Sequence, residues 1–386
     1  MINSMLFSSV ADVLYGAHTS DQLGDIAAKM GITRALIVTD PGIMKFKLLD
    51  GALKNLQTNG VKVNVYSDVV ADPPESVVMA AVSAAQTFGC DGVIGFGGGS
   101  SMDVAKLLAV LIKGEQQLSE MYGVDQVRGG RLPLIQVPTT AGTGSEATMV
   151  SIITTGATTK AGVVSRTLLA DKIILDATLT LGLPPAVTAA TGIDAMVHAI
   201  EAFISVRLKN PLSDMLAREA LRLMAGSIEV AVKQGSNLEA RGAMLLGAML
   251  AGQAFANAPV AAVHALAYPL GGNYHIPHGL SNALVLPHVL RFNGSEAGHH
   301  YAELAAIILP GKQLSKEPLE VTELLAQYFL ELSADLGLPT TLREMAIAET
   351  DLPMLAREAM LQQRLLINNP RVLCEEDALA IYRQAF

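Results

Sequence analysis

The first half of the chain alternates short apolar runs with segments whose apolar residues recur at helical spacing. The run "ALIVTD" at 35–40 is apolar almost without interruption, which is typical of a strand buried on both faces of a parallel sheet. Similar runs predict strands at 35–40, 62–69, 91–97 and 132–140, and the helical spacing between them predicts helices at 43–59 and 75–88. Strands that alternate with helices of this length indicate βαβ units and a parallel sheet.

The pattern changes close to residue 183. Residues 148–155 and 171–176 add two extended pieces, which could pair as a hairpin. After "LGLPP" almost all of the pattern is helical, and helices are predicted at 186–206, 212–233, 237–257, 320–336 and 351–365. We therefore predict an α/β domain over residues 1–183 and an all-helical domain over residues 184–386.

Three polar features follow predicted strands in the first half. "GFGGGSSMDVAK" at 95–106 opens a helix, where glycines admit a ligand close to the backbone and helix-terminal N–H groups favour phosphate. "PTTAGTGSEAT" at 138–148 offers threonines to a ribose or pyrophosphate, and Asp40 offers a carboxylate that would repel a 2′-phosphate. Each also fits an ordinary turn. Because open α/β sheets bind ligands at the carboxyl ends of strands, the three together predict a dinucleotide site.

A second constellation lies in the helical half. No Asp, Glu, Lys or Arg occurs from Gly242 to Leu290, yet His264 and His278 are found there. Asp194 and His198 are four residues apart, on one face of a predicted helix. An Asp–His pair alone fits a structural hydrogen bond, but buried polar groups need partners, and one metal ion would satisfy all four side chains. One carboxylate and three imidazoles suit Fe(II), while Zn(II), Co(II) and Ni(II) also fit.

Composition excludes several classes of function. The net charge is −9 and no Lys/Arg-rich run occurs, so no nucleic-acid partner is expected. Residues 242–262 are long enough to span a bilayer, but Gln253, Asn257 and Pro259 interrupt them, so we predict a buried helix and no membrane association. The two cysteines follow no redox or metal spacing, and the first residues lack signal-peptide character, which favours the cytoplasm.

At this point the sequence resembles the iron-containing (group III) alcohol dehydrogenases. The resemblance covers roughly residues 30–380 and rests on four motifs in this order, "GGGSSMDVAK", "PTTAGTGSEAT", "TGIDAMVHAIEAF" and "HALAYPLGGNYHIPHG". It implies the dehydroquinate synthase-like architecture, with NAD(P) bound in an N-terminal α/β dinucleotide-binding domain and a divalent metal in a helical C-terminal domain. The expected cofactors are NAD and Fe(II), or Zn(II) or another divalent ion in its place.

The resemblance also implies roles for individual residues. The implied metal ligands are Asp194, His198, His264 and His278. The implied cofactor contacts are Asp40, Asp72, Gly98, Gly99, Ser100, Asp103, Thr139, Thr140, Thr148, Lys160, Leu179 and Gly182. His275 could replace His278 as a ligand, but the rigid Pro277 favours His278, which we expect in a turn. One departure concerns Tyr268, which stands where relatives carry a second histidine, so Tyr268 and His275 are the candidates for contact with substrate and proton.

The expected reaction is reversible hydride transfer between a small alcohol or aldehyde and NAD, with the metal lowering the hydroxyl pKa. Alternatives of the same fold are an oxo-acid or hydroxy-acid reductase and a transhydrogenase. A metal-dependent hydrolase and a non-catalytic nucleotide-binding protein are alternatives of other classes. The apolar N-terminal segment is compatible with a homodimer or a higher homo-oligomer.

Overall fold

The computed structural model describes residues 4–156 and 159–386. Within it the chain divides into two compact units. The N-terminal unit is Ser8–Gly182, and the C-terminal unit is Leu183–Phe386 with the described residues that precede Ser8. The division lies one residue before the boundary that we expected from the sequence, and we propose that the two units are the two domains.

The N-terminal unit is built on a six-stranded sheet and a smaller three-stranded one. Its strands are β1 (Asp12–Tyr15), β2 (Arg34–Val38), β3 (Lys62–Tyr66), β4 (Gly92–Gly97), β5 (Gly123–Val124), β6 (Leu134–Pro138), β7 (Val150–Thr155), β8 (Thr159–Val164) and β9 (Lys172–Leu175). The large sheet has the order β1-β9-β6-β4-β2-β3, and every pairing in it is parallel. This confirms the predicted parallel α/β sheet.

The predicted pairing of 148–155 with 171–176 is wrong. β7 pairs antiparallel with β8, which was not predicted, and β5 pairs with β8 on its other side. β9 lies instead within the large sheet, between β6 and β1, which was also not predicted. Three consecutive apolar residues of β9, Ile173 to Leu175, are fully buried, as is typical of a strand covered on both faces.

The helices of the N-terminal unit pack against the large sheet. They are α1 (Leu23–Lys29), α2 (Pro41–Lys45), α3 (Asp50–Thr58), α4 (Glu75–Phe88) and α5 (Gly99–Lys113). The single helix predicted over 43–59 is wrong, because the backbone turns at Lys47, whose φ is +55°, and separates α2 from α3. The core beneath α1 and α3 consists of aliphatic side chains and Phe96.

Helices make up the C-terminal unit. They are α6 (Pro185–Ile204), α7 (Pro211–Ala225), α8 (Ile228–Lys233), α9 (Leu238–Asn257), α10 (Ala262–Tyr274), α11 (His278–Ile308), α12 (Pro318–Asp335), α13 (Leu352–Ala359), α14 (Gln363–Leu366) and α15 (Glu375–Ala385). No strand occurs among the described residues of this unit, which confirms the predicted all-helical half. Two predicted helices are each divided, 212–233 at Gly226 and 351–365 after Ala359.

The helix α6 is the centre of the C-terminal unit. It packs against α7, α9 and α11, and its residues from Ile193 to Ile204 are all buried. By length and composition α6 could cross a membrane, but 83% of its most apolar window is buried inside the structure. The helices α9 and α10 would pass the same test only as a pair, and they are bent by 107° relative to each other. The burial of α6 is that of a core helix.

Candidate metal and dinucleotide sites

Four side chains of the C-terminal unit converge on one point. Asp194, His198, His264 and His278 each offer one ligand atom, and these atoms all lie within 4.8 Å of one another. Asp194 and His198 come from successive turns of α6, His264 from the first turn of α10, and His278 is the first residue of α11. The expectation that His278 lies in a turn is therefore wrong, because α11 begins at His278 and Pro277 is its N-cap residue.

Neighbouring rings hold the imidazoles in place. The ring of His198 stacks between Phe255 and His264, with centroid distances of 4.5 and 4.7 Å. Asp194, His198 and His264 are buried, whereas the side chain of His278 is 35% exposed. Three of the four side chains are thus shielded from solvent, and His278 is the accessible one.

A close helix crossing determines where His278 lies. A β-carbon at Gly279 would lie 2.4 Å from the backbone oxygen of Ala190 and 3.2 Å from the β-carbon of Asp194. Glycine is therefore required for α11 to approach α6 this closely. Because Gly279 contacts the turn of α6 that carries Asp194, the preceding residue, His278, lies beside that turn.

The electrostatics of the cluster favour an ionised carboxylate. Burial raises the pKa of Asp194, but the imidazoles of His198, His278 and His264 and a hydrogen bond from Asn282 outweigh it and hold that pKa below its usual value. The Asn282 amide nitrogen lies 2.6 Å from Asp194 Oδ1 and 3.3 Å from Nε2 of both His264 and His278. An NH₂ group thus occupies the space where the ligand atoms meet.

Two buried residues of this site were missed by the sequence analysis, Asn282 and Glu201. Glu201 lies 2.6 Å from Nδ1 of His264 through its Oε2 atom. The signal that could have found Glu201 is its spacing, since it lies seven residues after Asp194 and three after His198, on the same face of α6. Asn282 follows His278 by four residues on α11.

The donor set fits a divalent cation. A carboxylate and three neutral imidazole nitrogens are ordinary ligands of Fe(II) and Zn(II), at about 2.0–2.2 Å. The Asn282 amide is a poor substitute for a cation among these ligand atoms, because its Oδ1 atom is buried without a hydrogen-bond partner among the described residues. A bound cation would compensate the charge of the buried Asp194 carboxylate.

Three strand ends form the candidate site of the N-terminal unit. The strands β6, β4 and β2 are neighbours in the large sheet, and their carboxyl ends lead to Thr139, Gly98 and Asp40. Backbone pairing continues beyond the strands, since the N–H of Thr139 donates to the carbonyl of Gly97 at 3.0 Å. The three polar features that the sequence suggested therefore lie side by side.

The glycine loop lies close to the loop that follows β6. A β-carbon at Gly99 would lie 2.9 Å from the Thr143 side chain, and one at Gly98 would lie 3.8 Å from Thr140 Oγ1. The 15-residue helix α5 begins at Gly99, and no side chain caps it among the described residues. The N–H groups of its first turn, which includes Ser100, therefore suit a pyrophosphate.

Asp40 caps the helix that follows it with one carboxylate oxygen, and its second oxygen remains for another partner. Its Oδ1 atom accepts hydrogen bonds from the N–H groups of Gly42 (2.8 Å) and Ile43 (3.2 Å) and so caps α2. Its Oδ2 atom lies 3.3 Å from the position that a β-carbon of Gly97 would take, over the glycine loop. The capped geometry fixes the carboxylate beside the loop.

A buried lysine, which the sequence analysis missed, ties the two loops together. The ammonium of Lys106 donates to Ser145 Oγ (2.8 Å), Thr148 Oγ1 (3.1 Å) and Asp103 Oδ1 (3.3 Å). Burial lowers the pKa of Lys106, while the Asp103 and Glu146 carboxylates raise it. Burial also raises the pKa of Glu146 to about 7, although its own backbone N–H and Lys106 lower it. Asp103 and Thr148 are thus already bonded within the protein.

The remaining predicted cofactor residues are more scattered. Asp72 and Lys160 form an ion pair with each other, and the backbone oxygen of Asp72 accepts from Thr154 Oγ1 at 2.9 Å. Leu179 is buried in the apolar core, and Gly182 is exposed at the end of the N-terminal unit.

Tyr268 and His275 occupy different surroundings on α10. The helix continues through Pro269, so Tyr268 lies one turn after His264, with its ring 5.9 Å from that of His278. Tyr268 is partly buried against the apolar cluster of Val260, Ala265, Leu365, Phe255 and Leu366. Burial raises its pKa, although Arg364 lowers it. His275 ends α10 in a left-handed conformation and is exposed.

Sequence profiles of known families match both units. Residues 11–177 match the iron-containing alcohol dehydrogenase profile, and residues 188–386 match the C-terminal profile of the Fe-containing alcohol dehydrogenase family. The chain belongs to the iron-containing alcohol dehydrogenase family. It is accordingly an oxidoreductase of the alcohol dehydrogenase kind, as the sequence predicted.

Curated relatives cover the chain almost completely. The chain is 42% identical to long-chain-alcohol dehydrogenase 1 of Geobacillus thermodenitrificans, over 99% of this chain and 96% of the relative. It is 36% identical to 1,3-propanediol dehydrogenase of Klebsiella pneumoniae, over 96% of both chains. It is also 35% identical to sulfoacetaldehyde reductase of Bilophila wadsworthia, over 98% of both chains. The relatives share the family and differ in named substrate.

Solved structures agree with this assignment. A 1,3-propanediol oxidoreductase superposes with a TM-score of 0.95 at 35% identity, covering 100% of both chains. A sulfoacetaldehyde reductase from Bifidobacterium kashiwanohense, solved in complex with NAD+, superposes with a TM-score of 0.87 at 29% identity, covering 99% of both chains. These matches confirm the α/β plus all-helical architecture.

Proposed function

We propose that this chain catalyses reversible hydride transfer between a small primary alcohol and NAD, and that it uses a divalent metal, Fe(II) in the first instance. The observation that carries the proposal is the convergence of Asp194, His198, His264 and His278 within 4.8 Å. These residues are the proposed metal ligands. When bound, the metal supplies Lewis acidity that lowers the pKa of an alcohol hydroxyl.

The proposed cofactor residues act by binding and orientation. The first-turn N–H groups of α5 bind the pyrophosphate of NAD, which accepts the hydride when bound. Asp40 accepts from ribose hydroxyls and repels a 2′-phosphate, which favours NAD over NADP. Its fixed position beside the glycine loop supports this role. Lys106 acts indirectly, because it holds Thr148 and Ser145 in the loop that follows β6.

The proposed roles of Tyr268 and His275 follow from their surroundings. The raised pKa of Tyr268 keeps its phenol protonated near neutral pH, so it shapes the pocket and donates a hydrogen bond rather than acting as a base. His275 is exposed three residues before His278, which suits exchange of a proton with solvent. We assign the proton relay to His275 on that basis.

The test combines metal analysis with a substrate screen. Protein prepared without metal is loaded with Fe(II) or Zn(II), titrated with NADH by cofactor fluorescence, and assayed with primary alcohols, diols and hydroxy acids. The chain has no Trp, so the NADH signal has little protein background. We expect one metal per chain and activity with alcohols. Turnover of hydroxy acids alone would favour the oxo-acid reductase alternative, and hydrolysis without NAD would contradict the proposal.

Two further proposals concern assembly and location. The edge strand β1 exposes Val13 and Tyr15, at 40% and 47%, which supports a homodimer or higher homo-oligomer that covers this edge. Both Cys90 and Cys374 are free thiols, which supports the cytoplasm. Light scattering after gel filtration measures the oligomeric state, and a monomer at micromolar concentration would contradict the proposed homo-oligomer.

A further inference from the structure

Glu201 is a buried carboxylate that no step of the proposed function uses. It is 1% exposed and lies on the same face of α6 as Asp194 and His198. A carboxylate is costly to bury without partners that compensate its charge. Its contacts therefore indicate what it does.

The carboxylate of Glu201 bridges two groups in the first turn of α10. Its Oε1 atom accepts the N–H of Val263 at 2.7 Å, and its Oε2 atom lies 2.6 Å from Nδ1 of His264. The N-cap residue of α10, Ala261, provides no side-chain cap. Glu201 therefore caps α10 from another helix and at the same time contacts the imidazole of His264, a proposed metal ligand.

The other nitrogen of the His264 ring faces a donor. The Asn282 NH₂ group is assigned by its 2.6 Å contact with Asp194 Oδ1, since a carboxylate oxygen only accepts. The same NH₂ group lies 3.3 Å from His264 Nε2, which is therefore the acceptor nitrogen. In a neutral imidazole the proton must then be on Nδ1, which faces Glu201.

We propose that Glu201 is a positioning residue that keeps the His264 proton on Nδ1 and so presents the lone pair of Nε2 to the metal. Carboxylate partners of this kind orient metal-binding imidazoles and increase their basicity. The inference rests on the proposed function, because it assumes that His264 binds a metal. Glu201 acts through His264 and does not contact the substrate.

The variant Glu201→Gln tests this role with little change in shape. Its carbonyl oxygen can take the place of Oε1 or of Oε2, so its NH₂ group faces the other partner; with the oxygen on the Val263 N–H, the NH₂ group donates to His264 Nδ1 and favours the opposite tautomer. We expect metal affinity, measured by competition with a chromophoric chelator, to fall about 10- to 100-fold. Helix content and NADH affinity should stay as in the unmodified protein. An unchanged metal affinity would overturn the inference.

A second measurement needs no metal. Nitrogen-15 NMR of histidine-labelled, metal-free protein reports which ring nitrogen of His264 carries the proton, and His264→Ala assigns the signal. We expect the proton on Nδ1 in the unmodified protein and a shift toward Nε2 in Glu201→Gln. A proton on Nε2 in the unmodified protein would refute the tautomer assignment even if Glu201→Gln did not fold.

A double-mutant cycle and a matched control separate positioning from packing. If Glu201 acts through His264, then Glu201→Gln adds no further loss of affinity in a His264→Ala background. An additional loss of the same size there would count against the inference. The control is Glu358→Gln, since the Glu358 carboxylate also contacts α10, at Asn273 Nδ2 (2.6 Å), away from the ligands. It should leave metal affinity unchanged.

These outcomes are distinguishable from failure of the proposed function. If the unmodified protein binds no divalent metal, the proposed function is wrong, while the NMR result still shows whether Glu201 controls the His264 tautomer. If the unmodified protein binds metal and Glu201→Gln binds it equally well, only the positioning role is wrong.

Discussion

At the scale of single residues, Asp40 combines a role in the fold with a proposed role in cofactor binding. Its Oδ1 atom caps α2, while Oδ2 faces the glycine loop. A substitution that removes the carboxylate is therefore expected to change helix stability and, on the proposed function, cofactor choice as well. Asparagine separates the two effects, because it is as good an N-cap as aspartate and carries no charge.

We expect Asp40→Asn to reduce the preference for NAD over NADP by about tenfold, which corresponds to about 1.4 kcal/mol of repulsion removed. The measurement is kcat/KM with each cofactor. Asp40→Ala provides the comparison, since it should relax the preference equally but also lose about 1 kcal/mol of stability with the cap. An unmodified enzyme that already favours NADP would contradict the role of Asp40.

Tyr268 is the second residue whose environment determines its chemistry. Its ring packs on the apolar cluster and lies 5.9 Å from the His278 ring, and burial raises the pKa of its phenol although Arg364 lowers it. We expect Tyr268→Phe to keep metal and cofactor binding and to reduce kcat about two- to tenfold, the range of one hydrogen bond. Loss of bound metal from correctly folded Tyr268→Phe would show that the assignment is wrong.

Substitution of Tyr268 by histidine supplies the matching pH test. An imidazole titrates near neutrality, so Tyr268→His should introduce an ionisation between about pH 6 and 7 into the pH profile of kcat. Tyr268→Phe should not show it. Identical profiles for the two variants would mean that the side chain at this position does not take part in proton transfer.

At the scale of secondary structure, the crossing of α6 and α11 decides the geometry of the metal cluster. A β-carbon at Gly279 would lie 2.4 Å from a carbonyl oxygen of α6, which is backbone and cannot move alone. We expect Gly279→Ala to separate His278 from Asp194, with a loss of about 1–3 kcal/mol of stability and at least a tenfold loss of metal affinity. Thermal unfolding and chelator competition measure the two effects.

Gly271→Ala is the control for this prediction. Gly271 lies inside α10, and a β-carbon there would make an ordinary contact of 3.5 Å with the Ile276 carbonyl oxygen. Alanine is about 1 kcal/mol better than glycine within a helix, so this variant should be neutral or stabilising and should bind metal normally. Equal losses in both variants would mean that the close crossing is not the cause.

At the scale of the whole molecule, the cofactor and metal residues belong to different units. The proposed NAD contacts lie within Ser8–Gly182, and the proposed metal ligands lie within Leu183–Phe386. A ligand that binds only the folded state stabilises it by mass action, so each ligand should protect its own unit first. Hydrogen exchange resolves the two effects by location.

We expect removal of the metal to increase hydrogen exchange in α6, α10 and α11 and to slow it nowhere. At a free metal concentration about 100 times the dissociation constant, binding contributes about 2.7 kcal/mol, equivalent to roughly 5–10 °C in the midpoint of a domain of this size. The His198→Ala variant is the control, because a chelator should change it little. An equal effect of chelator on both proteins would show that the stabilisation does not arise at this cluster.

The sequence determined the parts of the protein that local patterns encode. The alternation of apolar runs and helical spacing predicted the parallel sheet and the helical half, because each pattern reflects burial of one strand or helix face. The polar residues at strand ends and in the uncharged run predicted the dinucleotide and metal sites. The points where helices end were predicted less well, as in 43–59, where a single residue with positive φ divides two helices.

Only the tertiary structure decided which distant residues complete the sites. Glu201 reaches His264 across 63 positions, and Lys106 reaches Ser145 across 39. Local reasoning assigns the charged Lys106 to a solvated face, and the spacing of Glu201 indicates its face of α6 but not its partner. Packing of α6 on α10 and α11, and of α5 against the loop after β6, buries them instead. Their partners depend on helix crossings and strand order, for which the local sequence carries no periodic signal.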